Sequence, residues 1–326
     1  MQPHSCIIGT GHAVPERILT NAELETMVDT TSAWIVERSG ILQRHIAEPG
    51  SSLSDLAAEA AVAALAAANT TAEEIELIIV GTVTGDMKFP SMACLLQEKL
   101  GATNAAAFDI SAACSGFLYG LHLANSLIQT EGYKKVLVVA AEMLSSMVNW
   151  QDRNTSVLFG DGAGAAVLAP ATDQRGLLST YIKSDGRHSK LLFNPGGSRY
   201  PLTHESLDSN FACINMQGRE VFRHAVVSMT DALHEALQRA QLTPEDLDLL
   251  IPHQANIRII EGIAKRFKID PAKVYINVDR FGNTSAASIP IAINEAIDSG
   301  VIKAGHIVGL VTFGAGLTWS ACILRF

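Results

Sequence analysis

A nine-residue pattern in the first half of this chain recurs about half a chain length later. Thr71-Ala-Glu-Glu-Ile-Glu-Leu-Ile-Ile79 is matched by Thr243-Pro-Glu-Asp-Leu-Asp-Leu-Leu-Ile251, 172 positions later in a chain of 326 residues. Each copy follows a helical segment, Leu53–Ala68 or Gly218–Ala240, and runs into an apolar stretch with the length of a buried strand. A second pair, Gly162-Ala-Gly164-Ala-Ala-Val-Leu and Gly314-Ala-Gly316-Leu-Thr-Trp-Ser, closes each half in the same order. Two pairs in one order point to duplication of an α/β unit, which excludes most all-helical and all-β folds. The apolar runs Ala106–Ile110 and Lys135–Ala140 bracket a helical stretch at Ser115–Thr130, and Val274–Val278 and Ile307–Thr312 bracket Ser285–Ser299. This alternation predicts parallel sheets covered on both faces. Pro, Thr, Asp and Gly cluster at 170–176, so the halves are expected at 1–172 and 173–326, packed as one globule.

Composition agrees with a large buried core, since 48% of residues are hydrophobic and 17% charged. A net charge of −9 argues against nucleic acid as a general partner. Five scattered Cys without a CxxC pair predict reduced thiols and a cytoplasmic setting. The start of the chain lacks the basic and apolar regions of a signal peptide, and the Ala-rich stretch 57–68 is too short for a membrane span. The ten His show no HExxH spacing, so no metal site is expected.

Asp109-Ile-Ser-Ala-Ala-Cys114-Ser-Gly116-Phe reads as a strand, a turn of small residues and the start of a helix. A thiol at a helix N-terminus faces unpaired N–H groups and the positive end of the dipole, which predicts a lowered pKa and a nucleophile. His253 follows the expected strand Leu247–Ile251, at the C-terminal end favoured by ligands in α/β sheets. Asn283 lies in a Gly-containing turn before a helix. Duplicated strand ends meeting at one pocket would bring both to Cys114.

The run around Cys114, Phe159-Gly-Asp-Gly-Ala-Gly-Ala165, Ile251-Pro-His-Gln-Ala-Asn256, Gly282-Asn-Thr-Ser-Ala-Ala-Ser288 and Gly316-Leu-Thr-Trp319 together resemble the β-ketoacyl-acyl-carrier-protein synthase III family across essentially the whole chain. Those are thiolase-fold enzymes that start bacterial type II fatty acid synthesis. The resemblance implies a duplicated, five-layered αβαβα fold. It also implies decarboxylative condensation of a short acyl-CoA with malonyl-acyl carrier protein through an acyl-Cys114 intermediate. His253 and Asn283 would donate to the enolate oxygen, since an amide cannot act as a base. A second oxyanion hole would use the Cys114 N–H and a donor from the Gly314-Ala315-Gly316 turn, taken as Gly316. The family commonly has three glycines there, so Ala315 leaves the donor open.

By the same resemblance Trp34, Arg38, Arg153, Asn256, Phe89 and Phe313 contact acyl-CoA. Trp34 and Arg153 would enclose the adenine and Asn256 would hold the pantetheine arm, while Phe89 would cross a homodimer interface to limit acyl length. Gln254, Arg258, Lys265 and Arg266, with Lys268 beyond them, would dock the acidic carrier protein. Acyl-CoA is then a substrate, and no cofactor is implied. Three other readings compete: a papain-like hydrolase sharing the order Cys, His, Asn, which lacks the C-G-[SA]-C-[WY] signature; a specialised synthase with an unusual starter; and an inactive acyl-binding protein, which the intact trio disfavours.

Overall fold

The computed structural model describes residues 5–326. In chain order the main elements of the first half are β1 (Ser5–Ala13), α1 (Ser32–Ser39), α2 (Leu53–Ala67), β2 (Leu77–Gly81), α3 (Met92–Leu100), β3 (Ala106–Ile110), α4 (Gly116–Glu131), β4 (Val136–Met143) and β5 (Asp161–Pro170). Those of the second half are β6 (Gly176–Ser184), α5 (Gly218–Ala240), β7 (Leu249–Pro252), α6 (Ile257–Phe267), α7 (Ser288–Asp298), β8 (Ile307–Gly314) and β9 (Thr318–Arg325). The first sheet has the order β1-β5-β4-β2-β3 and the second β7-β8-β9-β6. Reading the second sheet backwards, β6-β9-β8-β7 repeats β1-β5-β4-β2, so the matched nonapeptides feed equivalent strands.

The counterpart of β3 is missing. The expected strand at Val274–Val278 is reduced to one bridge between Val274 and Leu250, followed by a short helix at Val278–Phe281. The cause is local: the N–H groups of Asn277 and Val278 donate to Gln254 Oε1 at 2.9 and 3.2 Å and so do not form a strand ladder. The sheets are also mixed rather than parallel. β2 runs parallel to β3 and β4, and β7 to β8, but β5 and β9 run antiparallel to both neighbours. For β9 the tight turn after Gly314 leaves no room for a crossover.

Five layers result. α2 and α3 cover the outer face of the first sheet through Leu56, Ala60, Ala64, Met92 and Leu96. The inner faces of both sheets close on α4 and α7, which bury Phe117, Leu121, Ile289 and Ile293 between them. α5 and α6 cover the outer face of the second sheet with Met229, Leu233, Ile259 and Ile263. Each of the Leu, Ile, Phe and Met side chains contributes about 1.5–3 kcal/mol by leaving water. The small residues of α2 let it lie close to β1 and β5, while the bulk sits in the central layer. Nucleophile turn and α7 thereby start from the same buried plane.

Candidate active site

Cys114 occupies a short turn of 3₁₀ helix, Ala113–Ser115, between β3 and α4. Ala113 takes a left-handed φ of +46°, which folds the turn back toward the second half. There it meets the end of β8. A Cβ on Gly314 would stand 2.8 Å from the Cys114 amide nitrogen, so glycine is required for that approach. Thr318 Oγ1 lies 2.9 Å from Ala112 O and 3.2 Å from Ser115 Oγ, tying the start of β9 to the same turn.

The Cys114 thiol is not the acidic group expected at a helix N-terminus. Burial pushes its pKa up to about 12; the Ser285 hydroxyl opposes this and the negative charge of Glu142 adds to it.

His253 follows β7, where its N–H donates to Val311 O at 2.8 Å. Burial lowers its pKa to about 4, so the ring is neutral at pH 7. Its Nδ1 lies 2.7 Å from Ser288 Oγ, and that oxygen accepts the Gln254 N–H at 3.4 Å. With the Ser288 hydroxyl donating to Nδ1, the ring proton is on Nε2. Asn283 is held from both sides: its N–H donates to Leu158 O at 2.8 Å and its carbonyl accepts from Gly160 N at 3.0 Å. Asn283 Oδ1 accepts from Ser285 N at 2.9 Å, which orients the amide and frees Nδ2 as a donor.

Cys114, His253, Asn283, Phe313 and Gly314 share the wall of one cavity of ≈ 530 Å³. Trp34, Arg38, Asn256 and Arg258 line the same cavity. Arg153 does not line it, but its guanidinium lies 5.2 Å from the Trp34 ring centre and donates to Asp29 O at 3.2 Å. The Arg38 guanidinium lies 5.9 Å from that ring. Asn256 caps α6 by accepting from Arg258 N at 2.9 Å, and its Nδ2 donates to Arg38 O at 2.8 Å, which joins α6 to α1. Gly314 is the member of the 314–316 turn on the cavity wall; Gly316 is not on it.

Gln254 is misplaced by the sequence reading. It is 1% exposed, and its amide is consumed by Pro252 O, Tyr275 O, Asn277 N and Val278 N, so no carrier protein can reach it. Arg258, Lys265 and Arg266 are exposed on α6 and take part in no ion pair among the described residues. Phe89 stands 83% exposed beside Met87 at 53%, away from this cavity. Arg219 and Phe222 at the start of α5 also line the cavity, with the Arg258 guanidinium 5.9 Å from the Phe222 ring. The sequence carries no motif for them; only their place at the head of a long helix could have suggested it.

No cluster of three or more His, Cys, Asp or Glu suited to a metal occurs among the described residues, and no described helix is long and apolar enough to cross a membrane.

The family models for 3-oxoacyl-[acyl-carrier-protein (ACP)] synthase III match residues 108–186, and those for its C terminal residues 237–326. The chain is 54% identical to the beta-ketoacyl-[acyl-carrier-protein] synthase III of Caldanaerobacter subterraneus subsp. tengcongensis, over 98% of this chain and 97% of that one. It is 50% identical to the protein of the same name from Symbiobacterium thermophilum, again over 98% and 97%. The crystal structure of 3-oxoacyl-[acyl-carrier-protein] synthase III from Aquifex aeolicus superposes with a TM-score of 0.92 at 45% identity, covering 99% of this chain and all of that one.

Proposed function

Because the chain belongs to the β-ketoacyl-acyl-carrier-protein synthase III family of acyltransferases, we propose that it condenses a short acyl-CoA, acetyl-CoA above all, with malonyl-acyl carrier protein to begin a fatty acid. The observation that carries this reading is the meeting of Cys114, His253 and Asn283 on one cavity wall, one nucleophile beside two fixed N–H donors.

Acyl-CoA enters past Trp34, Arg38, Arg219 and Arg258, whose guanidinium and indole faces suit adenine and phosphate. Cys114 Sγ attacks the thioester carbonyl and CoA leaves as its thiol. The carbonyl oxygen is held by the Cys114 amide and by an N–H of the Gly314-Ala315-Gly316 turn. Malonyl-carrier then takes the vacated site. As CO₂ leaves, charge moves onto the thioester oxygen, and His253 Nε2–H and Asn283 Nδ2–H stabilise it there. A neutral His suits this role, because an imidazolium would protonate the enolate rather than hold it for attack. The enolate carbon displaces Cys114 from its acyl group and gives the 3-oxoacyl-carrier.

The reaction needs no cofactor. The α6 cations Arg258, Lys265 and Arg266 steer the acidic carrier. Pairing through the edge strand β3, where Phe108 is 37% exposed, brings two copies together and places Phe89 in the partner's acyl pocket. A thiol nucleophile and free cysteines suit the cytoplasm.

Purified protein mixed with malonyl-carrier and a panel of acyl-CoAs tests this. Release of CO₂ and a 3-oxoacyl-carrier with acetyl-CoA as the best starter is expected. Hydrolysis without condensation would overturn the reading, and preference for a branched or aromatic starter would move the chain to specialised synthesis.

A further inference from the structure

Asn283 owes its place to a segment, 157–160, that belongs to neither large sheet. Its N–H and carbonyl bond to Leu158 O and Gly160 N at 2.8 and 3.0 Å, which makes one isolated parallel bridge with Phe159. Val157, Leu158 and Phe159 also line the cavity. A segment without a ladder of its own needs an outside partner to stay in register. That partner is Arg44, in the short strand Gln43–His45. Its Nη2 donates to Val157 O at 2.7 Å. Its Nη1 donates to Leu19 O at 3.2 Å and to Asn21 Oδ1 at 2.9 Å.

Arg44 is fully buried and forms no ion pair among the described residues, and its Nε has no partner there. A guanidinium stays protonated in a protein, so a full charge is buried against neutral oxygens alone. A neutral donor could satisfy those oxygens at less cost. What the guanidinium adds is a rigid planar fork, with two nitrogens aimed at two different parts of the chain. The contact is steric as well. A Cβ on Gly160 would stand 3.0 Å from Arg44 Cβ, and one on Gly282 3.1 Å from it. Arg44 therefore packs against both sides of the bridge that carries Asn283. The other reacting groups are fixed elsewhere: the Cys114 turn by Gly314 and Thr318, and His253 by Val311 O and Ser288.

We propose that Arg44 is a positioning residue for decarboxylation: through Val157 O and the bridge at Phe159 it sets the Asn283 amide where the enolate oxygen forms. Arg44 itself touches no substrate and acts only through Asn283, so its role rests on the reading of Asn283 as an enolate donor. Misplacing such a group by about 1 Å can cost about 10²-fold in rate. Acyl transfer to Cys114 does not use Asn283, so the two half-reactions separate when Arg44 is changed.

CO₂ release from malonyl-carrier, measured beside single-turnover transfer of labelled acetyl from saturating acetyl-CoA, tests it. Arg44→Lys keeps the charge but replaces the fork with a single nitrogen. It should slow CO₂ release by about tenfold or more and leave acyl transfer within about threefold. Added to Asn283→Ala, Arg44→Lys should change CO₂ release by less than about threefold, because the donor it positions is gone; added to His253→Ala, its full effect should persist. Asn21→Ala, which withdraws the acceptor that holds Nη1 and leaves the guanidinium in place, should show the same separation at about fivefold, and it decides the matter if Arg44→Lys does not fold. Wild-type CO₂ release in both variants, equal slowing of the two half-reactions, or a slowing undiminished in Asn283→Ala overturns the positioning role. Wild-type CO₂ release in Asn283→Ala alone overturns the donor reading of Asn283 instead.

Discussion

His253 and Glu142 are buried groups whose titrations pull the stability of the fold in opposite directions. For His253, burial lowers the pKa from its ordinary 6.5 to about 4. At about 1.4 kcal/mol per pH unit, that gap is worth ~3 kcal/mol. This contribution is present above pH 6.5 and lost as pH falls through 4, because the unfolded chain binds the proton first. For Glu142, burial raises the pKa from 4.5 to about 7. Its contribution, again ~3 kcal/mol, is present below pH 4.5 and lost as pH rises through 7, because the unfolded chain gives up the proton first. In the wild type the two nearly cancel across this window. Single substitutions should uncover them. The unfolding free energy of Glu142→Gln minus that of wild type should rise by ~3 kcal/mol between pH 4.5 and pH 8. The same difference for His253→Ala should rise by ~3 kcal/mol as pH falls from 7.5 to 4, whatever constant loss the cavity brings. Urea unfolding followed by circular dichroism, at fixed ionic strength and protein concentration, measures both. Difference curves flat to within about 1 kcal/mol over pH 4–8 would show that burial does not set these protonation states, and the neutral donor role of His253 would lose its basis.

Three further outcomes follow from the site. Cys114→Ala should abolish acylation and condensation while still releasing CO₂ from malonyl-carrier, whereas His253→Ala and Asn283→Ala should form labelled acyl-enzyme but decarboxylate about 10²–10³ slower; a His253→Ala that cannot be acylated yet decarboxylates normally contradicts the condensing mechanism. Lys265→Glu combined with Arg266→Glu should raise the KM for malonyl-carrier and leave acyl transfer from acetyl-CoA within about twofold, with wild-type carrier affinity falling as salt rises; equal affinity of the two proteins at low and high salt removes α6 as the docking surface. Phe89→Thr should shift preference toward longer or branched acyl-CoAs without changing the dimer, and unchanged selectivity or a monomer in sedimentation argues against the shared pocket.

What the sequence determined alone was the plan and the three residues that meet on one cavity wall, Cys114, His253 and Asn283. The repeat at Thr71 and Thr243 is visible because local apolar periodicity is enough to mark a strand, and those copies lead into the equivalent strands β2 and β7. Cys114, His253 and Asn283 are legible because each sits in a short motif whose turn chemistry is local. The tertiary structure decided everything that depends on what lies opposite. The Val274–Val278 run has a strand's composition, but a side chain from another turn takes its donors. Gln254 looked like a surface residue beside a basic helix, yet the close of the second sheet over it buries it. The Cys114 pKa moved against the expectation from its helix, because the helix dipole is local whereas desolvation is imposed by β8 and by the turn before α7. Glu142 carries no sequence signal at all: it is one acidic residue at the end of an apolar strand, 143 positions from the Ser285 hydroxyl it meets, and only the packing of one half on the other makes them neighbours.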